Sequence, residues 1–140
     1  LRAYNSKHTD HLYTANLDKL YYDHEHRDYE AQGIAGLVFL EEIESTVPLY
    51  ILYNPEEFAH YYTTRTQDAD DAISNRGYTD EGTAAYVYAT QICGSVPLYY
   101  LWNREKTDSL YTTNETERDD AIQNLGYEDE GIACYVLPVL

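Results

Sequence analysis

An aromatic residue followed by asparagine occurs three times in the chain, at equal spacing. The three pairs are Tyr4-Asn5, Tyr53-Asn54 and Trp102-Asn103. An aromatic ring can stack on the apolar face of a sugar, while an amide hydrogen-bonds the hydroxyls at the sugar's rim. The pattern predicts aromatic platforms for a polar ligand, each placed where a strand ends. The structural alternative is that each asparagine closes an Asx turn on its own backbone.

Two further sets of polar positions follow each aromatic-Asn pair. The first set is Asp10-His11, Ala59-His60 and Asp108-Ser109, and the second is Ala31-Gln32, Asp80-Glu81 and Asp129-Glu130. Carboxylates and imidazoles commonly bind vicinal sugar hydroxyls, and charged hydrogen bonds are the stronger ones. Because His60, Asp80 and Glu81 all belong to the middle copy, that copy is the first choice of site. The alternative interpretation is a solvated face on an acidic protein.

Histidines concentrate near the start of the chain, at His8, His11, His24 and His26. Imidazole together with nearby carboxylates suits zinc or copper. However, His24 and His26 are two residues apart on a predicted helix and point to different sides. The later copies contain no equivalent cluster, and no calcium-loop spacing occurs. We therefore predict no metal and no cofactor.

Catalytic motifs are absent from the sequence. It contains no glycine-rich phosphate loop, nucleophile elbow or His-Glu-x-x-His pattern. Asp80 and Glu81 resemble the paired carboxylates of glycosidases, but adjacent residues in a repeated turn are more typical of a solvated turn. The sequence therefore predicts a binding protein and not an enzyme.

Internal repetition explains the equal spacing of these positions. Pro48-Leu49-Tyr50 recurs 49 residues later as Pro97-Leu98-Tyr99, and Tyr13-Thr14 recurs as Tyr62-Thr63 and Tyr111-Thr112. The register predicts one domain over residues 1–140, built from units 1–47, 48–96 and 97–140, with the first unit short at its start. Such small units cannot bury their apolar faces alone, so we expect them to close around a pseudo-threefold axis. The repeated tyrosines would then pack the core.

Each unit has the pattern of strands around one short helix. Aromatic-rich runs such as Pro97–Trp102 predict strands. Asn114, with Glu117 three residues later, predicts a capping box that opens a helix, and Gly126 predicts that helix's end. The expected class is a β-rich α+β fold. We expect Leu137–Leu140 to supply the strand that the start of the first unit lacks.

Composition excludes several classes of partner. The chain has 140 residues, 9 Lys plus Arg against 25 Asp plus Glu, and a formal net charge of −16. This charge repels phosphate, which argues against nucleic acid as a partner. No apolar run approaches the roughly 20 residues that a membrane span needs, so we expect no membrane insertion. The 17 tyrosines beside 2 phenylalanines suit half-wet surfaces and polar ligands.

Two features bear on the compartment. Cys93 and Cys134 could form one disulfide in an oxidising environment, although spacing alone does not establish that pairing. Asn114-Glu-Thr116 is a glycosylation sequon at a predicted helix cap, where it would be accessible. Use of that sequon would agree with secretion.

The repeat resembles a known family. Its pattern is carried by Leu49 to Asn54, His60 to Thr64 and Gly77 to Val87. This pattern is similar to the tyrosine-rich tandem repeats of unknown function in secreted fungal and bacterial proteins, which often accompany cell-wall or glycan hydrolases. The third unit departs from the pattern at Ser109, and the first departs at Asp28-Tyr29 and Gln32-Gly33.

The resemblance implies secretion and a binding role near glycans. The expected function is a secreted, lectin-like protein with up to three shallow sites for glycans or glycoconjugates. The alternative is a non-catalytic accessory subunit that binds and stabilises a secreted fungal enzyme. A defence protein or toxin that recognises a surface glycan is a third alternative.

Overall fold

A strand–strand–helix–strand order recurs three times over residues 1–139, the part of the chain that the computed structural model describes. The elements are β1 (Arg2–Asn5), β2 (Asp10–Tyr13), α1 (Leu17–Arg27), β3 (Glu30–Ala31), β4 (Thr46–Asn54), β5 (Ala59–Thr63), α2 (Thr66–Asn75), β6 (Thr79–Tyr88), β7 (Val96–Asn103), β8 (Asp108–Thr112), α3 (Glu115–Asn124) and β9 (Glu128–Val136). The β-rich α+β class predicted from the sequence is confirmed. None of the helices described within residues 1–139 is long and apolar enough to cross a bilayer.

The strands form two antiparallel sheets. One has the order β2-β1-β3, and the other has the order β5-β4-β6-β9-β7-β8. In each third of the chain the first strand pairs with both the second and the last, so that Leu52, for example, lies between Tyr61 and Asp80. The last strands bulge where they pass the first, beside Tyr50 and Tyr99.

Two isolated bridges and one pairing within the larger sheet connect the three thirds of the chain. Phe39 exchanges backbone hydrogen bonds with Tyr86 at 3.0 and 2.8 Å, and Tyr88 pairs with Tyr135. Leu137 exchanges two backbone hydrogen bonds with Leu37, at 2.9 and 3.1 Å. The expectation for Leu137 is therefore wrong, because it lies beside Leu37 and not in line with β1. Leu140 lies outside the described residues.

Three tyrosines at 49-residue intervals form the centre of the fold. The Tyr62 hydroxyl accepts the Tyr13 N–H at 2.8 Å and donates to the Tyr13 carbonyl at 2.9 Å. Tyr111 makes the same two bonds to Tyr62, and Tyr13 makes them to Tyr111. Each ring meets the other two edge to face, with centroids 5.3–5.5 Å apart. Burial raises the pKa of all three hydroxyls well above the ordinary tyrosine range.

Apolar side chains from two thirds of the chain pack around this tyrosine ring. They include Leu49, Ile51, Val87, Leu98 and Val136. Smaller clusters lie under each helix, and Leu12, Leu52 and Leu101 are their most deeply buried leucines. The helices therefore cover the outside, and the tyrosines occupy the position that sequence repetition predicts for them.

Helix boundaries follow local sequence. The Asn16 and Asn114 side chains cap α1 and α3 by accepting two backbone N–H groups each. After α2 and α3, Gly77 and Gly126 adopt φ values of 78° and 80°, which suit glycine. Asp28 takes the same left-handed position after α1 with φ 61°.

Candidate functional site

The asparagines of the three aromatic-Asn pairs are buried and fully engaged. Asn54 donates to the carbonyl of Arg76 at 3.0 Å and accepts the N–H groups of Glu56 and Glu57. Asn5 makes the three corresponding bonds, and Asn103 donates to the Leu125 carbonyl and accepts the Lys106 N–H. All three side chains are at most 3% exposed. Each ties the turn after a strand to the end of the following helix. The prediction that Asn5, Asn54 and Asn103 contact a ligand is therefore corrected, and the Asx-turn alternative is confirmed.

A buried carboxylate, Asp10, holds His60 from a distant part of the chain. Its oxygens accept the His60 backbone N–H at 3.0 Å, the His60 ring at 2.6 Å and the Tyr29 hydroxyl at 2.5 Å. Because a carboxylate only accepts, His60 must donate from Nδ1, so a neutral ring presents Nε2 as an acceptor. Burial, followed by the charge of Asp10, raises the pKa of Tyr29 far above its usual range.

Asp108 holds His11 in the same way. It accepts the His11 backbone N–H at 2.9 Å, the His11 ring Nδ1 at 2.7 Å and the Tyr127 hydroxyl at 2.5 Å. Both aspartates are completely buried. Asp10 and Asp108 thus orient the two histidines and cannot themselves face a ligand, which corrects their assignment as contact residues.

The third pair of positions related in this way contains neither an aspartate nor a histidine. The positional offset that relates Asp10 to His60 relates Ala59 to Ser109, and both of these small residues are buried. Tyr78, which corresponds to Tyr29 and Tyr127, has a buried hydroxyl without a hydrogen-bond partner among the described residues. Burial raises the pKa of Tyr78 to about 12. The polar network is therefore present at two of the three places that this sequence offset relates.

Half-exposed aromatic rings cover the two oriented histidines. Tyr53 lies over His60 with ring centroids 4.7 Å apart, and Tyr4 lies over His11 at 4.5 Å. Trp102, also half-exposed, pairs across the ladder with Ser109 instead of a histidine. The three aromatic residues are therefore partly exposed, and the rings of Tyr4 and Tyr53 each lie against a histidine of the next strand.

The acidic turns differ in what they approach. Asp80 and Asp129 each accept the N–H of the glycine two residues later, at 2.8 Å, and so close their own turns. Glu81 is exposed and brings a carboxylate oxygen to 4.0 Å from His60 Nε2. Glu130 is exposed at the corresponding turn. Of these residues, the structure brings Glu81 to a histidine.

These groups meet in a cleft of about 430 Å³, which we call the His60 cleft. Its lining residues are His8, His26, Arg27, Asp28, Tyr29, Tyr53, Phe58, His60 and Glu81. One wall comes from the turn after β1, the end of α1 and the two residues that follow α1. The other wall comes from β4, β5, β6 and the turn between β4 and β5. The middle-copy prediction thus places Tyr53, His60 and Glu81 in one cleft, while Asp80 lies outside its lining.

Sequence reasoning did not select the wall that comes from residues 8–29. The His8 ring stacks on the Phe58 ring, with the ring centroids 3.9 Å apart. Arg27 Nη1 lies 3.5 Å from Asp23 Oδ1. Arg27 comes from the last turn of α1, directly before the left-handed Asp28. The concentration of histidines near the chain start was the available signal, but it raised only a metal hypothesis, which the spacing of His24 and His26 argued against.

The other histidines are used locally. The His24 ring lies 2.7 Å from the Tyr29 carbonyl, and His26 lies 3.0 Å from that of Tyr22. Within residues 1–139, no group of three or more His, Cys, Asp or Glu side chains is arranged to hold a metal ion.

The cysteines are free, and the sequon is exposed. Cys93 is at the surface and Cys134 is buried, so the suggested disulfide between them is not formed. Burial raises the pKa of Cys134 to about 12. Asn114 is accessible, but its side-chain oxygen already accepts the N–H groups of Thr116 and Glu117 as a helix cap.

Comparison with known proteins identifies the family. Neither the curated proteins nor the solved structures contain a match to this chain. The family model of DUF5648, a domain of unknown function, matches residues 1–137. Since that match covers nearly the whole chain, the protein belongs to the DUF5648 family.

Proposed function

We propose that the protein binds carbohydrate, and that the His60 cleft is its principal site. The observation that carries this proposal is the meeting of Tyr53, His60 Nε2 and the Glu81 carboxylate around one cleft of about 430 Å³. The half-exposed Tyr53 ring offers a stacking surface for the apolar face of a sugar. His60 and Glu81 offer acceptors for neighbouring hydroxyls, and Arg27 offers donors.

The oriented histidine supports a role in recognition. His60 is fixed through Asp10, so its Nε2 is held in position before a ligand arrives. Fixing a polar group in advance reduces the entropy that binding must overcome.

We further propose that units of about 49 residues are arranged with pseudo-threefold symmetry. The cyclic hydrogen bonds of Tyr13, Tyr62 and Tyr111 support this arrangement. So do the three inter-strand pairings of Phe39–Tyr86, Tyr88–Tyr135 and Leu37–Leu137. The units would then give up to three related sites, of which that at Tyr4 and His11 is most like the His60 cleft.

Weak, repeated sites suit a secreted protein that engages a glycan-coated surface through several contacts at once. The exposed sequon at Asn114 agrees with secretion. The glycans themselves, and the extracellular location, belong to the proposal.

A glycan array with matched variants tests the proposal. We expect the wild-type protein to bind a related set of sugars, and Glu81→Gln to weaken that binding by about tenfold, the effect of losing a charged hydrogen bond. Glu130→Gln makes the same charge change on the equivalent turn and should leave binding at the His60 cleft unchanged. Silence across the array from folded protein would refute carbohydrate binding, as would equal affinity of the wild type and Tyr53→Ala.

The accessory-subunit alternative has an observation of its own. Leu17, Tyr21 and Leu40 are 65–73% exposed, and Leu17 and Leu40 line a second cleft of about 600 Å³. Exposed apolar side chains near a cleft suit a protein partner. Co-purification of a secreted enzyme at fixed stoichiometry, lost in Leu40→Ser but kept in Glu81→Gln, would favour this alternative.

A further inference from the structure

The two long strand pairs that join a first strand to a last strand, β4–β6 and β7–β9, contain the same three-residue motif near the start of β4 and β7. In β4, Val47 pairs with Val87 and Leu49 with Ala85. In β7, Val96 and Leu98 pair in the same way with Val136 and Cys134. Between each valine and leucine lies a proline.

Proline fits these strands because its partner needs no hydrogen bond from it. Pro48 lies opposite Tyr86, whose N–H and carbonyl already bond to Phe39. A residue without an N–H is therefore tolerated at this point of the ladder.

The equivalent edge in the first third of the chain carries no strand. Gly36 and Val38 lie 49 residues before Ala85 and Val87 and correspond to them. Between them, Leu37 exchanges backbone hydrogen bonds with Leu137, just as Tyr86 does with Phe39. Among the backbone hydrogen bonds described for residues 1–139, none involves Val38. The edge of Val38 that faces away from Leu137 is thus open for pairing.

An apolar cavity adjoins this open edge. It measures about 60 Å³, several times the ~10–15 Å³ that one water molecule needs. Gly36 and Val38 line it on one side, and Leu49 and Leu98 reach it from the two complete strand pairs. A third leucine at the corresponding position would fill it.

Leu1 shows the direction from which a strand would enter. Its nitrogen donates to the Thr14 carbonyl at 3.0 Å, and its carbonyl accepts the Thr14 N–H at 3.1 Å. Tyr50 pairs with Thr63, and Tyr99 with Thr112, at the equivalent rung of the ladder. Leu1 therefore occupies the rung directly after Leu49 and Leu98 in the other two strands.

From this geometry we infer that the Val38 edge is the acceptor for an extended apolar-Pro-Leu strand joined to the nitrogen of Leu1. The valine-like residue pairs with Val38, the proline faces Leu37, and the leucine fills the cavity beside Leu49 and Leu98. This inference rests on the three-unit arrangement proposed above and is independent of carbohydrate binding.

The test compares two proteins that extend the chain before Leu1. One carries Ser-Val-Pro-Leu, the sequence of Ser95–Leu98, and the matched control carries Ser-Val-Pro-Asp. We expect the leucine extension to raise the melting temperature by about 5 °C or more relative to the aspartate control, because it fills an apolar cavity. Amide hydrogen exchange at Val38 should slow at least tenfold in the leucine protein only.

Two results would overturn the inference. In the first, both extensions give the same melting temperature and leave exchange at Val38 as fast as in the protein without an extension. In the second, free Ser-Val-Pro-Leu peptide protects Val38 as well as the joined strand does, which would make the edge a docking site for another chain. Neither measurement involves a glycan, so failure here and failure on the glycan array are separate outcomes.

Discussion

His60 donates both its backbone N–H and its ring Nδ1–H to the carboxylate of Asp10, at 3.0 and 2.6 Å. The two residues lie 50 positions apart and belong to different sheets. One buried carboxylate therefore joins β2 to β5 and also sets the direction in which His60 faces its cleft. Stability and the proposed binding site share this residue.

Removing the Asp10 carboxylate should destabilise the folded protein. We expect Asp10→Ala to lower the free energy of unfolding by about 3–5 kcal/mol, because three buried hydrogen-bond donors lose their acceptor together. The substitution leaves the Tyr29 hydroxyl and the His60 N–H buried without their acceptor. Denaturant unfolding followed by circular dichroism measures the change.

Asp80→Ala is the matched control for Asp10→Ala. Asp80 is exposed and accepts one N–H within its own turn, so its removal should cost under about 1 kcal/mol. Equal losses in the two variants would show that the Asp10 network does not hold the fold together.

The vacant third network can be rebuilt. Ala59→Asp alone places a carboxylate near the unpartnered Tyr78 hydroxyl but gives it no histidine, so we expect little gain or a loss of stability. Adding Ser109→His should supply the missing donor. A double-mutant cycle should therefore show favourable coupling of about 1–3 kcal/mol between the two substitutions. Strict additivity would mean that the third place is not equivalent to the other two.

The order of strands and helices was largely predictable, because similar local patterns recur at 49-residue intervals in the sequence. The strand and helix order follows from aromatic-rich runs, from asparagine caps such as Asn114 and from glycines such as Gly126. The packing of Tyr13, Tyr62 and Tyr111 followed from their 49-residue spacing. Repetition places equivalent residues in equivalent surroundings, so three weak local signals combine into a strong one.

Burial of the polar residues was not predictable in the same way. Asp10, Asp108 and the asparagines resemble surface residues, because aspartate and asparagine are mostly exposed in proteins. The histidine donors to the two aspartates come from elsewhere in the chain: His60 lies 50 residues from Asp10, and His11 lies 97 residues from Asp108. The sequence shows which polar side chains would need a hydrogen-bond partner if buried, but it does not show which residue supplies that partner.

The tyrosine ring offers a sensitive test of the core. Tyr62→Phe removes a hydroxyl that bonds to both the N–H and the carbonyl of Tyr13. We expect a loss of about 1–3 kcal/mol in unfolding free energy, because buried backbone groups lose their partner. Tyr86→Phe, at a half-buried ring outside this cycle, should change stability by less than about 0.5 kcal/mol.

The two cysteines should react at very different rates. Cys93 is exposed, whereas Cys134 is 2% exposed and its pKa is raised to about 12 by burial. A thiol reagent at pH 8 should therefore modify one group quickly in the native protein and the second only after unfolding. Detection of no free thiol in unfolded, unreduced protein would instead demonstrate a disulfide.

Alkaline pH should unfold the protein through its tyrosines. Burial raises the pKa of Tyr13, Tyr62 and Tyr111, and burial beside Asp10 does the same for Tyr29. In the unfolded chain each hydroxyl ionises near pH 10. Below about pH 10 both states keep these protons, so the stabilisation is complete. As the pH rises further, the unfolded state loses protons that the folded state retains, and stability falls.

Ultraviolet absorbance of tyrosinate, recorded together with circular dichroism, follows this transition. We expect the exposed members of the 17 tyrosines to ionise first while the fold persists, and the buried ones to ionise only as the fold is lost. In concentrated guanidinium all of them should titrate together near pH 10. Ionisation of all 17 near pH 10 with an unchanged dichroism spectrum would contradict the burial of the tyrosine ring, because a buried phenolate without a counter-ion is strongly disfavoured.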